Sequence, residues 1–158
     1  MEKSGVKWCK EAGMLLGNYP AKINFKGRTA IPAKYRSQLG RKIILGQWYE
    51  NCLVIVSQNQ WQELLKQIEQ KPFISAPSRE TDRFLVGGAF EIEPDNQGRF
   101  VIPSSLREYA GLKGEVVFVG LLNRLEIWDK NKWEKHQKYL DEHAEEIAEK
   151  LSRVGEKE

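Results

Sequence analysis

Two arginines stand in matching positions in this chain. Arg28 lies in Asn24-Phe25-Lys26-Gly27-Arg28-Thr29-Ala30-Ile31-Pro32, and Arg99 in Asp95-Asn96-Gln97-Gly98-Arg99-Phe100-Val101-Ile102-Pro103. Each follows a turn glycine and opens a β-rich apolar stretch, which sets each guanidinium at the mouth of a strand. A planar fork of donors there suits the edge of a guanine or a pair of phosphate oxygens. Lys22, Lys26 and Lys34 surround the first copy, and Arg36 and Arg107 fall on the segment after each proline. Cations so placed add phosphate attraction that does not depend on base sequence. The competing reading is structural: an arginine four residues after an aspartate can pin its own turn. That reading is strong for Asp95 and Arg99 and weaker for Arg28, because Asn24 forms no ion pair. Asn24, Gly27, Asp95 and Gly98 are therefore expected to shape the turns. Arg28, Arg99, Lys22, Lys26, Lys34 and Arg36 are expected to face an anionic partner.

Catalysis finds no comparable set. His136 and His143 lie on a charged C-terminal segment, three residues after Trp133 and Leu140, and nothing with ligand spacing accompanies them. Cys9 and Cys52 make no disulfide framework or zinc pair. Cys52 precedes an apolar strand and is expected to be packed, as a reduced thiol in a cytosolic protein. Walker loops, dinucleotide-binding glycine motifs and nucleophile elbows are missing from the sequence. No enzymatic activity, cofactor or metal is expected.

The elements that hold the two arginines recur as a block. Gly27-Arg28 to Gly40 faces Gly98-Arg99 to Gly111 at an offset of 71, and Leu53–Trp61 faces Leu125–Trp133 at an offset of 72. About 45 residues recur in all, from Gly17 to Trp61 and from Gly88 to Trp133. A unit of that length buries too little apolar surface to stand alone, so two must share one core, in the manner of a dimer with pseudo-twofold symmetry. Tyr19–Ile23 and Phe90–Glu93 read as short strands, followed by the turn and the strand that begins at each arginine. Pro32 and Pro103 open short helices that Gly40 and Gly111 stop. Two apolar strands follow in each copy, and Ser57 and Asp129 stand where N-caps of outgoing helices are needed. The first outgoing helix is expected to pack through Trp61, Leu64, Leu65 and Ile68, with Pro72 and Pro77 breaking the segment beyond it. A connecting helix near Arg79–Val86 is capped by Ser78. The last helix, near Lys130–Leu151, carries the stripe Trp133, Leu140, Ala144, Ile147 and Leu151, expected to serve the intrachain core first and a neighbouring subunit second.

The composition fits this reading. The 158 residues are 41% hydrophobic and 30% charged, enough for a packed core, and the net charge of +3 decides little. Its distribution decides more. Between Ala12 and Tyr49 seven basic residues occur with no acidic one, whereas from Ala89 to Trp128 four basic residues face six acidic ones. A basic first half points to an anionic partner, most often nucleic acid. No apolar run is long enough to span a membrane, and the first residues lack the apolar stretch of a secretion signal.

The doubled turn ending in Gly-Arg and followed by Ile-Pro resembles the MraZ family of bacterial proteins, in which two AbrB-like (SpoVT-AbrB, swapped-hairpin) domains are fused in tandem. The second copy, Asp95 to Arg99 with Ile102-Pro103 and the stretch to Trp133, is similar almost throughout. The first matches at Lys26-Gly27-Arg28, Ile31-Pro32 and Cys52–Val56 but has Asn24 in place of the expected aspartate. The resemblance, from about Met14 to Ser152, implies an α+β fold: a tandem duplicated swapped-hairpin β-barrel with pseudo-twofold symmetry, peripheral helices and a C-terminal helix. It divides the chain into an extension (1–13), a first SpoVT-AbrB domain (18–64), a linker with a short helix (65–87), a second such domain (88–131) and a C-terminal helix (132–158). It implies a transcriptional regulator that binds double-stranded DNA at direct repeats in the promoter of the division and cell-wall gene cluster, its own operon. It also implies a cytoplasmic, nucleoid-associated protein that assembles with itself into rings of many subunits, an octamer being one such ring. Arg28 and Arg99 carry over as the DNA-contacting arginines. The alternative is an AbrB-type interaction module, antitoxin-like, with incidental DNA binding. Met14 is the expected natural start, which would make residues 1–13 upstream sequence.

Overall fold

A computed structural model of the chain describes residues 14–71 and 73–157. The expectations for residues 1–13, Cys9 among them, and for a break at Pro72 lie outside the described residues.

Both copies of the repeat fold through the same order of elements. In the first, β1 (Leu15–Lys22) leads through a turn to β2 (Arg28–Ala30), then α1 (Ala33–Leu39), β3 (Ile43–Gln47), β4 (Leu53–Ser57) and α2 (Gln58–Glu69). After α3 (Ala76–Leu85) the second copy repeats this with β5 (Phe90–Ile92), β6 (Arg99–Val101), α4 (Ser104–Ala110), β7 (Glu115–Leu122), β8 (Leu125–Asp129) and α5 (Lys130–Lys157). Pro32 and Pro103 occupy the N-cap positions of α1 and α4, directly before the helices they open. Gly40 and Gly111 end these helices with positive φ. The Ser57 side chain accepts the Gln60 amide at 3.2 Å and so caps α2 as its type predicts.

Two expected boundaries are corrected. The connecting helix begins three residues early, because Ser75 rather than Ser78 supplies the cap and accepts the Ser78 amide. Pro77 then falls in the first turn, where a missing N–H costs nothing. The strand expected to start at Tyr19 starts at Leu15; β1 is an edge strand, where Pro20, which has no N–H to donate to a ladder, is tolerated.

The strands form one antiparallel six-stranded sheet, in the order β1-β7-β8-β4-β3-β5, and one two-stranded ribbon, β2-β6. The pairings are reciprocal. The first strand of each copy joins the third strand of the other, with Ala21 opposite Val116 and Ile92 opposite Ile43. The last strands meet at β4 and β8, with Val54 opposite Glu126. One face of the sheet closes on a single core that draws Ile31, Tyr35, Leu39, Ile43 and Leu45 from the first copy and Phe100, Ile102, Leu106, Val116 and Phe118 from the second. The two units share one interior, as their size requires. On the other face, Trp61 of α2 packs over Ile44, Val54 and Val56, and Trp133 of α5 over Val117, Val119 and Trp128. Cys52 is fully buried, and burial pushes its thiol well above the usual range, which leaves it an inert packing group.

The last helix runs six residues past the end of its apolar stripe at Leu151 and spans roughly 42 Å at 1.5 Å per residue. Its core role is shorter than expected. Trp133 and Leu140 are half-buried, but Ile147, Leu151 and Val154 are 37%, 72% and 54% exposed. No helix among the described residues is long and apolar enough to cross a membrane.

Candidate nucleic-acid interface

The β2–β6 ribbon places both arginines. Arg28 pairs with Val101, Thr29 with Phe100 and Ala30 with Arg99, so the two copies meet antiparallel through their arginine-bearing strands. Thr29 and Phe100 point inward and are each 5% exposed. Side chains alternate along a strand, so Arg28, Ala30, Arg99 and Val101 share the outer face, and both arginines are exposed there. The ribbon is tied at both ends by the loops themselves: the Ile31 amide donates to the Gly98 carbonyl at 2.9 Å, and the Ile102 amide to the Gly27 carbonyl at 2.8 Å.

Each loop is shaped by its first residue. The Asn24 Oδ1 accepts the amides of Lys26 and Arg28 at 3.0 and 2.9 Å, and the Asp95 Oδ1 accepts those of Gln97 and Arg99 at 2.9 Å each. Asparagine fills the aspartate's backbone role with nearly the same bond lengths, although its neutral amide oxygen is the weaker acceptor. Gly27 and Gly98 have φ of +85° and +78°, and a Cβ on either would crowd a carbonyl of the opposite copy. The copies differ at the second carboxylate oxygen. Asp95 Oδ2 accepts from Arg99 Nε at 2.7 Å, while Arg28 has no carboxylate within salt-bridge distance among the described residues. The Arg99 backbone amide and then its side chain hold the Asp95 carboxyl below its ordinary value.

The remaining cations divide. Lys26 is exposed at the apex of the first loop, with its ammonium 5.7 Å from the centroid of the Phe25 ring. Lys22 is exposed at the end of β1, and its carbonyl accepts the Thr29 hydroxyl at 2.8 Å, which fastens β1 to the ribbon. Lys34 is exposed but leans over the rings of Tyr19 and Tyr35, beside Gly17 and away from the first loop in sequence and contact. Arg36 is turned toward the protein. It is half-buried, its Nε donates to the Ile31 carbonyl at 2.8 Å, and it lies against Gly98 of the opposite loop. Arg107 does the same for the first loop, donating from Nε to the Ile102 carbonyl at 3.0 Å and from Nη1 to the Phe25 carbonyl at 3.4 Å. These two arginines brace the loops, a role that the matching positions of Arg36 and Arg107 in the duplicated block signal only once strand pairing is known. Sequence reasoning gave Phe25 no role; it is 87% exposed. The stack of His136 between Trp128, at 4.9 Å, and Tyr139, at 5.8 Å, places that histidine in the packing of α5 against the sheet.

Comparison with known proteins gives a consistent result. A family model described as "MraZ protein, putative antitoxin-like" matches twice in succession, over residues 14–84 and 85–154. The chain is 43% identical over 138 residues to the transcriptional regulator MraZ of Caldanaerobacter subterraneus subsp. tengcongensis, covering 87% of this chain and 96% of that protein. It is 42% identical over 142 residues to the transcriptional regulator MraZ of Acetivibrio thermocellus, covering 90% of this chain and 99% of that protein.

Proposed function

The chain belongs to the MraZ family, and on that premise we propose that it is a DNA-binding transcriptional regulator whose β2–β6 ribbon meets the duplex. One observation carries the reading: both ribbon arginines stand on the outer face, on a framework fixed by reciprocal loop bonds. A two-stranded ribbon fits the major groove, where an arginine fork reads guanine and lysines hold phosphates. Arg28 is the principal reader, with Lys26 and Lys22 beside it as phosphate contacts. Arg99 contributes from its tether, Lys34 adds a peripheral charge, and Arg36 serves chiefly as a brace. The reciprocal strand pairing supports the finer fold reading, a tandem swapped-hairpin barrel with pseudo-twofold symmetry.

The target is a set of direct repeats in the promoter of the division and cell-wall gene cluster, the protein's own operon, and the chain acts in the cytoplasm on the nucleoid. One chain offers few phosphate contacts, so a ring of chains gains affinity by engaging several repeats at once. The distal half of α5, with Ile147, Leu151 and Val154 exposed, offers apolar surface for a second copy. Footprinting the protein on the DNA upstream of its own reading frame, at two salt concentrations, tests the proposal. Protection at spaced repeats that weakens with salt is the expected result, and absence of protection rejects it. The antitoxin-like wording of the family description favours a second reading, which co-purification of a small tightly bound toxin would support.

A further inference from the structure

The duplication supplies an internal control for every residue of the first loop. Gly27 donates to the Asn24 carbonyl at 2.9 Å and Asn24 to the Arg28 carbonyl at 3.0 Å, and the second loop repeats both bonds at the same lengths through Gly98, Asp95 and Arg99. Phe25 and Lys26 are thus the apex of one turn, as Asn96 and Gln97 are of the other. A loop that closes identically around Asn96 does not need an aromatic residue at that position in order to fold. Yet Phe25 is 87% exposed, and among the described residues its ring is in no buried cluster. Its backbone is held from behind, since Arg107 Nη1 donates to its carbonyl. The ring stands three residues from Arg28, next to Lys26, on the loop that enters the ribbon.

We propose that Phe25 is a specificity-determining residue of this interface, which meets the C5-methyl group of a thymine in the major groove beside the base pair that Arg28 reads. The proposal rests on the DNA-binding reading above and names what the first loop adds to it. Thymine alone among the bases presents a methyl group in that groove, and an apolar side chain is its natural contact. Lys26 and Lys22 draw the phosphates toward the loop and leave the ring facing the base edges. Asn96, at the same apex of the second loop, carries no apolar group, so the two loops read different bases and one chain reads its site in a single direction.

The test uses full-length protein and duplexes recovered by it from a random-sequence pool, each remade with deoxyuridine replacing thymine at one position at a time. Deoxyuridine keeps pairing and lacks only the methyl group. At one position near the Arg28 footprint, wild type should lose about fourfold in affinity, the value of one buried methyl. Phe25→Asn should lose about tenfold on the thymine duplex and be indifferent to deoxyuridine, while Phe25→Leu keeps part of the methyl sensitivity. Arg28→Ala separates the two readings. If it weakens binding while Phe25→Asn matches wild type on every duplex, the thymine contact is wrong and DNA binding stands. If Phe25→Asn weakens thymine and deoxyuridine duplexes equally and abolishes 2-aminopurine unstacking, the ring is a wedge between bases and the methyl contact is overturned. Recovery of no duplex by wild type rejects both readings.

Discussion

Arg99 Nε lies 2.7 Å from Asp95 Oδ2, whereas the equivalent Arg28 follows an asparagine whose oxygen is spent on backbone amides alone. The two loops share a backbone and differ in the freedom of one side chain. A guanidinium that already has a carboxylate partner must leave or share it to bind DNA, and its positive field is partly cancelled. The ion pair is exposed, so its own contribution to stability is small, and what it changes is the freedom of one guanidinium.

Arg28→Ala is therefore expected to weaken binding by about 1–3 kcal/mol, and Arg99→Ala by less. Asn24→Asp creates a second tether and should move Arg28 toward the weaker behaviour. Fluorescence anisotropy on the footprinted duplex measures all three variants.

The Asp95 carboxyl titrates below its ordinary value of 3.8, because Arg99 favours the charged form. A depressed native value adds stability above the ordinary one and loses it as pH falls through the native one. Carboxyl NMR should place the midpoint below 3.8 in the wild type and nearer to it in Arg99→Ala.

Gly27→Ala is expected to cost about 2 kcal/mol or more, from strained backbone and crowding together. Its φ is +85°, and a Cβ would come within 2.8 Å of the Ile102 carbonyl oxygen and of Arg107 Nε. Gly40→Ala separates the two causes: φ is +84° with nothing within 4 Å of the added atom. Its cost should be backbone strain alone, about 1–3 kcal/mol, because φ of +84° with ψ of −173° is a region that essentially only glycine adopts. Urea denaturation gives both values.

Lys22→Ala and Lys26→Ala should each reduce the slope of log affinity against log salt by about 0.9 while leaving base preference unchanged. Lys34→Ala should have the smaller effect of the three. Titrations at several potassium concentrations separate these lysines from Arg28, whose loss changes preference as well.

Removing the chain after Ala144 deletes no buried residue among those described. The denaturation midpoint of the body should shift by less than about 0.5 kcal/mol equivalent, while sedimentation should show fewer subunits per assembly.

Much of the architecture was written in the echo between Asn24–Pro32 and Asp95–Pro103. Turn glycines, flanking arginines and prolines fix local backbone, and local backbone is what a sequence carries most directly. The exchange that puts Ala21 against Val116 and Ile92 against Ile43 was not legible, because strand order is settled by tertiary packing. The inward turn of Arg36 escaped for a related reason: a basic residue on a seven-residue helix looks like surface until the loop it bonds across is known. The start of α3 is not legible because Pro77 reads as a breaker when its place in the first turn is hidden. The apolar stripe ends at Leu151, so it does not mark the last turn of α5, which runs on to Lys157 through charged residues and Gly155.

Because the chain that donates each exchanged strand is also the chain that receives it, the paired state forms by a unimolecular event and survives any dilution. A pair of separate, identical polypeptides would be obliged to present two copies of the same loop. Covalent fusion lifts that obligation, and the contrast of Phe25 and Asn24 with Asn96 and Asp95 is heterodimer chemistry encoded in one reading frame.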